Sequence, residues 1–284
     1  MKTSRCRWSV LVSGLALLIA LIVPARSALA GDACSALGLG NSAAIHAALT
    51  TALKSVAPDK AGNGGLGNHM WATIVDQDGK VCAVTFTGPS RISQWPGSRV
   101  ISAQKANTAA AFNLPAGAGG TVDALSTANL WTQVQPGGSL FGLQFSNPVD
   151  PAVAYGNHGD AGGDATKYGS LQDPLDGQFV GGVNVFGGGL ALYSAGGKKV
   201  GAIGVSGDTS CADHNIAWRT RHALGLDRLT TGGVKGLSPA PRQDNIIYDI
   251  NPADKHDAVD NSASGFGHPL CGFGEQLIVL PPTQ

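Results

Sequence analysis

Charged residues are scarce in this sequence: 13% of its 284 residues are Asp, Glu, Lys or Arg, with acids and bases in equal number. That balance leaves no electrostatic footprint for nucleic acid or anionic lipid. Several chemical signatures are missing too. There is no P-loop, no His-Glu-x-x-His, no internal repeat and no complete Gly-x-Ser-x-Gly elbow; Gly204-Val205-Ser206-Gly207 lacks the spacing. No Cys-x-x-Cys or His-x₃-His pair exists, which makes a zinc site of closely spaced ligands the weaker reading of the cysteines. What is abundant is glycine, 41 residues, a composition that suits a compact, turn-rich fold and argues against disorder.

The first thirty residues read as a secretory signal peptide. Lys2, Arg5 and Arg7 form a basic start, Val10 to Val23 is an apolar run too short for a comfortable membrane span, and Ala28-Leu29-Ala30 is a small-residue cleavage signal. Cys6 splits the two arginines, so a twin-arginine signal is not supported. The expectation is a periplasmic or secreted protein with no stable membrane insertion after the signal is removed. Those residues hold four of the 19 bases and no acid, which leaves 15 bases against 19 acids and a net charge near −4. The mature chain keeps Cys34, Cys82, Cys211 and Cys271, an even number that suggests two disulfides with three connectivities open.

Residues Asn41 to Val56 form the clearest amphipathic helix, with Ile45, Leu49, Leu53 and Val56 on one side, Asn41 or Ser42 as cap, and Pro58 as stop. A hairpin follows, Met70–Val75 and Val81–Phe86 around the Asp76-Gln77-Asp78-Gly79 turn; both faces of its first strand are apolar, which places that strand centrally. Ser98 caps a helix from Arg99 to Asn113 with a thin alanine face (Ala103, Ala106, Ala110) suited to close packing. Lys105 inside it reads as a surface lysine, with an anion contact as the functional alternative. Val122 to Val134 reads as a third helix. From Pro136 to Gly182 periodicity is poor, Phe141, Phe145 and Tyr155 are candidate anchors for this loop, and His158 reads as exposed.

A second hairpin, Leu190–Ser194 and Lys199–Val205, has a second strand rich in Gly and Ala, where another backbone or helix should approach closely. A helix from about Cys211 to Leu224 ends it, capped within Ser206–Ser210. Ala212, Ile216, Ala217 and Thr220 share the side expected to pack on the sheet; His214, Trp218, Arg221 and His222 gather on the other. Two imidazoles, an indole and a guanidinium on one face could grip a flat, anionic, metal-containing ligand, and a merely solvated face is the bland alternative at even odds. Residues 226–284 read as coil with extended pieces at Asn245–Ile250 and Gln276–Leu280, and with His256 and His268 outside any cluster.

Four passages together resemble the GlcG/HbpS family of haem-binding and related proteins: Ile74-Val75-Asp76-Gln77-Asp78-Gly79, Ala103-Gln104-Lys105-Ala106-Asn107-Thr108-Ala109, Gly187-Gly188-Gly189-Leu190, and Val200-Gly201-Ala202-Ile203-Gly204-Val205-Ser206-Gly207. Asp213 matches an acidic residue that follows the last of these in the family. The resemblance covers roughly Asn41 to Gly225. It implies an α+β fold, an antiparallel central sheet of two hairpins with helices packed on it, assembled into homo-oligomers. In this chain the single domain would span 31–225, with a long loop insertion at about 114–181 and an irregular C-terminal extension, 226–284, packed on it. The usual Arg-Met-Asp-Gly-Ala wording after the first hairpin is replaced by Thr87-Gly88-Pro89-Ser90 with Trp95 downstream.

The leading expectation is an exported binding protein for haem or a related tetrapyrrole or other small ligand. His214 or His222 would ligate iron, Trp218 would stack on the ring, Arg221 would pair with a propionate, and His69 and Lys105 are further candidates. The alternatives are an enzyme acting on a small metabolite at a subunit interface, with Asp76, Asp208 and Asp213 as acids or bases and Lys105 and Arg219 as anion holders, and a disulfide-stapled assembly protein.

Overall fold

The computed structural model describes residues 34–115, 124–156, 163–229, 242–251 and 262–284. The expected signal peptide, His158 and His256 lie outside them. Two antiparallel hairpins, β1 (Trp71–Asp76) with β2 (Val81–Phe86) and β3 (Gly189–Ser194) with β4 (Lys198–Ser206), join through β1 and β4 into one sheet of order β2-β1-β4-β3. β1 is central and buried along its whole length, as its two apolar faces require. The first turn works through Asp76, whose Oδ1 accepts from the backbone of Asp78 and Lys80 at 2.9 Å each, while Gly79 takes a φ of 91°.

Helices cover both faces of the sheet. α1 (Ser42–Val56), capped by the Asn41 side chain, and the last helix, α5 (Ser210–Ala223), lie on one face over Met70, Ala72, Ile74, Leu190, Leu192 and Ile203. Between α1 and β1 in the chain comes α2 (Lys60–Asn63), a single turn that packs on α5. α3 (Ser98–Ala111) lies on the other face, where Ala103, Ala106, Ala109 and Ala110 meet Trp71, Val75, Val84 and Ala202. The small residues of α3 and β4 set this spacing. A Cβ on Gly204 would stand 1.9 Å from the Ser102 carbonyl oxygen and 2.5 Å from the Ala106 nitrogen, so helix and strand approach backbone to backbone.

The expected helix over Val122–Val134 is not formed in its described part. Two 3₁₀ turns, Thr127–Leu130 and Thr132–Val134, stand there, opened by Ser126 and Asn129 in a reciprocal capping box. Among its described residues, the loop that follows carries α4 (Pro151–Tyr155) and short 3₁₀ turns. Its expected aromatic anchors face solvent instead: Phe141, Phe145 and Tyr155 are exposed, and Ala154, Leu175 and Val180 join the α3 core in their place. The stronger tie is ionic. Buried Arg99 of α3 pairs with buried Asp173 and donates to the Ala154 carbonyl at 2.7 Å.

Of the three disulfide connectivities, the chain adopts Cys34–Cys82, which fastens the N-terminal turn to β2, and Cys211–Cys271, which fastens the C-terminal segment to the start of α5. That segment is largely irregular: Asn245–Ile250 makes only an isolated bridge from Ile250 to Ser262, and Glu275–Leu277 is a 3₁₀ turn where an extended piece was expected. Gly204→Ala should cost at least about 1–3 kcal/mol, because α3 must be levered off β4. Urea unfolding would show the midpoint falling with the slope unchanged, and an unaltered midpoint would refute the backbone contact.

Candidate functional site

α5 begins at Thr209, whose side chain accepts from the Ala212 amide, and runs against β3 and β4. His214, Trp218 and Arg221 do gather along it: the His214 and Trp218 rings lie 6.1 Å apart and the Arg221 guanidinium sits 4.7 Å from the Trp218 ring. The helix, however, has no open face here, since all three side chains are buried. The C-terminal segment covers them. Asn245 Oδ1 lies 3.1 Å from His214 Nε2, the Trp218 indole donates to the Pro281 carbonyl at 2.9 Å, and Arg221 pairs bidentately with buried Asp244 while donating to the Ala191 carbonyl at 3.0 Å.

Burial, with the Arg221 charge adding to it, pulls the His214 pKa down to about 4 against the opposing pull of Asp244 and Asn245, so its imidazole is neutral at pH 7. Two buried nitrogens of this group, His214 Nδ1 and Arg221 Nε, have no hydrogen-bond partner among the described residues. His222 stands apart at the end of α5, half-buried, with Nδ1 2.6 Å from Asp227. His69 is exposed before β1, 3.3 Å from the Thr87 hydroxyl, and makes no contact with the α5 group among the described residues.

Lys105 is the larger departure from expectation. It is fully buried, not a surface lysine: its ammonium donates to Asp213 Oδ2 at 2.7 Å and to the Val205 carbonyl at 3.1 Å, and lies 4.4 Å from the centre of the Phe186 ring. Burial pulls its pKa down and pushes that of Asp213 up to about 6, each offset by the other's charge. Asp213 also accepts from the Asp208 amide at 2.9 Å, and Asp208 in turn gathers the amides of Leu66, Gly67 and Asn68. Arg219 pairs with Asp59 at 2.9 Å on the surface, and Asp76 is spent on its turn. Of the residues of the enzymatic alternative, Lys105, Asp213 and Asp208 are thus linked, while Arg219 and Asp76 are engaged elsewhere.

Sequence reading passed over Asp244, Asn245 and Pro281, which lie in a stretch without periodicity and carry no motif. It also placed His268 outside any cluster, whereas its Nδ1 lies 4.0 Å from Cys211 Sγ, within a group that includes Cys271. Two outcomes test this geometry. Lys105→Met strands a buried carboxylate and should cost about 3–5 kcal/mol, while the double change Lys105→Met with Asp213→Leu should cost clearly less; equal losses on chemical denaturation would refute the pairing. For His214 the folded pKa lies below the ordinary 6.5, so the unfolded chain takes up a proton that the folded chain refuses, and stability falls as pH drops from 6.5 through 4. In His214→Gln that term is gone, so its melting temperature should gain on the parent's as pH is lowered across that window; a constant gap would contradict a neutral, buried imidazole.

Comparison with known proteins bears on the lineage. No curated protein gives a match. Among solved structures, the Klebsiella pneumoniae protein ORFY is 20% identical, with 67% of this chain and 88% of that one covered and a TM-score of 0.39. The PduOC–haem complex is 24% identical, covering 61% and 89% at a TM-score of 0.38. A double mutant of Streptomyces reticuli HbpS is 16% identical, covering 79% and 97% at 0.39. A family model described as "Haem degrading protein HbpS-like" matches residues 45–221, well over half of the sequence and every element from α1 to α5. The chain belongs to the HbpS-like family.

Proposed function

We propose that the chain is an exported binding protein for haem or a related small ligand. Membership in the HbpS-like family carries this reading, and the PduOC structure named as a haem complex is consistent with it. The sequence adds the basic, apolar and small-residue order of its first thirty residues, which supports export.

The α5 group has the chemistry for haem but not the room. A neutral imidazole with a ring nitrogen to spare, an indole and a guanidinium are suited to iron, ring and propionate respectively. With Asp244, Asn245, Ile246 and Pro281 bonded across them, these side chains do not admit a macrocycle as they stand. Haem at this face requires Asp244–Ile246 and Pro281 to lift away from α5. His222 and His69 are the more accessible imidazoles.

The experiment is a haemin titration of residues 31–284 followed by visible absorption, alongside the His214→Ala/His222→Ala double variant. The expected result is a saturable Soret band at about one haem per chain, weakened about tenfold or more in the double variant. A band undiminished in the variant places the iron elsewhere on the chain, and no saturation in either protein ends the haem reading.

A further inference from the structure

On the face of the sheet opposite α5, a cleft of about 160 Å³ opens between the start of β1, the N-terminus of α3 and the loop that carries α4. Trp71, Arg91, Pro96, Arg99, Tyr155 and Tyr168 line it. We propose that this cleft is a binding site for a single-ring aromatic carboxylate. The inference is independent of the haem reading at α5, whose side chains lie on the other side of the sheet.

Size sets the first limit. An apolar cavity of about 150 Å³ holds one benzene ring, while pockets for drug-sized ligands begin at about 300 Å³. A macrocycle is therefore excluded and one ring fits. The walls are aromatic: Trp71 is buried and meets Phe86 edge-on at 5.0 Å, and Tyr155 and Tyr168 face each other at 6.5 Å with Tyr155 exposed at the rim. The Arg99 guanidinium backs the Tyr168 ring at 3.9 Å, and its charge is met by Asp173. It supports the wall and is not available to a ligand.

Two features then call for an anion. The Trp71 indole nitrogen is buried without a hydrogen-bond partner among the described residues, a deficit that costs about 1–3 kcal/mol unless an acceptor arrives. Arg91 is half-buried at the cleft and makes no hydrogen bond or ion pair among the described residues; its charge is felt by exposed Asp164. A carboxylate meets the indole N–H and Arg91 together, and the ring it carries packs between the tyrosines and Trp71.

The test is a calorimetric titration of residues 31–284 with sodium benzoate, with benzyl alcohol as the neutral ring of the same size. Benzoate should bind saturably at one per chain, and benzyl alcohol should bind at least about tenfold more weakly. Arg91→Gln, a surface change that leaves the core untouched, should keep the parent's melting temperature and lose about tenfold or more in benzoate affinity. Trp71→Phe keeps the ring packing but removes the N–H, and should weaken benzoate without weakening benzyl alcohol. Failure of benzoate to saturate, or equal affinity in the parent and Arg91→Gln, overturns the proposal.

Discussion

The buried ion pair of Lys105 with Asp213 is the contact on which the placement of the two helix layers depends. It joins α3 on one face of the sheet to α5 on the other, passing the end of the sheet where β3 begins. The passage is narrow enough to dictate sequence. A Cβ on Gly188, whose φ is 117°, would stand 2.4 Å from the Val205 carbonyl oxygen and 3.0 Å from the Lys105 ammonium, which explains why the approach to β3 is a run of three glycines. Such a pair is a weak source of net stability, because the desolvation of two charges offsets much of their attraction. Its value is geometric: a charge buried on α3 has one acceptable partner, so α5 is held in one register against β4. From Asp213 the constraint continues through the Asp208 amide to the loop at Leu66–Asn68.

A chain so poor in charge spends its buried charges in the same way twice more. Arg99–Asp173 fastens the loop after α4 onto α3, and Arg221–Asp244 fastens the C-terminal segment onto α5. Each irregular segment therefore contributes an acid to a base that stands on a helix. A directional, bidentate ion pair fixes each of these glycine-rich segments at one place.

The regular elements were legible because local rules sufficed for them. Alternation and turn chemistry gave both hairpins, the 3.6-residue period gave α1, α3 and α5, and the glycines of β4 announced the close approach of α3. The gathering of His214, Trp218 and Arg221 on one side of α5 followed from spacing alone. What spacing cannot convey is the cover. A polar stripe on a helix reads as solvated or ligand-facing unless partners such as Asp244 are known, and these arrive from a segment with no periodicity, brought back by Cys211–Cys271. Lys105 was misjudged for the same reason: its counter-ion is 108 residues away in sequence. The helix expected at Val122–Val134 gives way to two 3₁₀ turns, the first opened by Ser126 and Asn129.

The covering segment also sets the terms on which α5 can bind anything. A ligand at His214 must displace a bidentate ion pair, an indole–carbonyl bond and the packing of Leu280, so the face is competent only in the fraction of molecules in which the segment has lifted. The apparent dissociation constant is then the intrinsic one divided by that fraction. If the segment costs about 3 kcal/mol to release, binding weakens by about two orders of magnitude however well the exposed group suits its ligand. The cleft on the opposite face bears no such penalty. It is open in the same conformation that keeps α5 closed, and its unmet donors stand ready. Occupancy of the two faces is thus governed by different quantities, the strength of the covering segment for one and direct complementarity for the other.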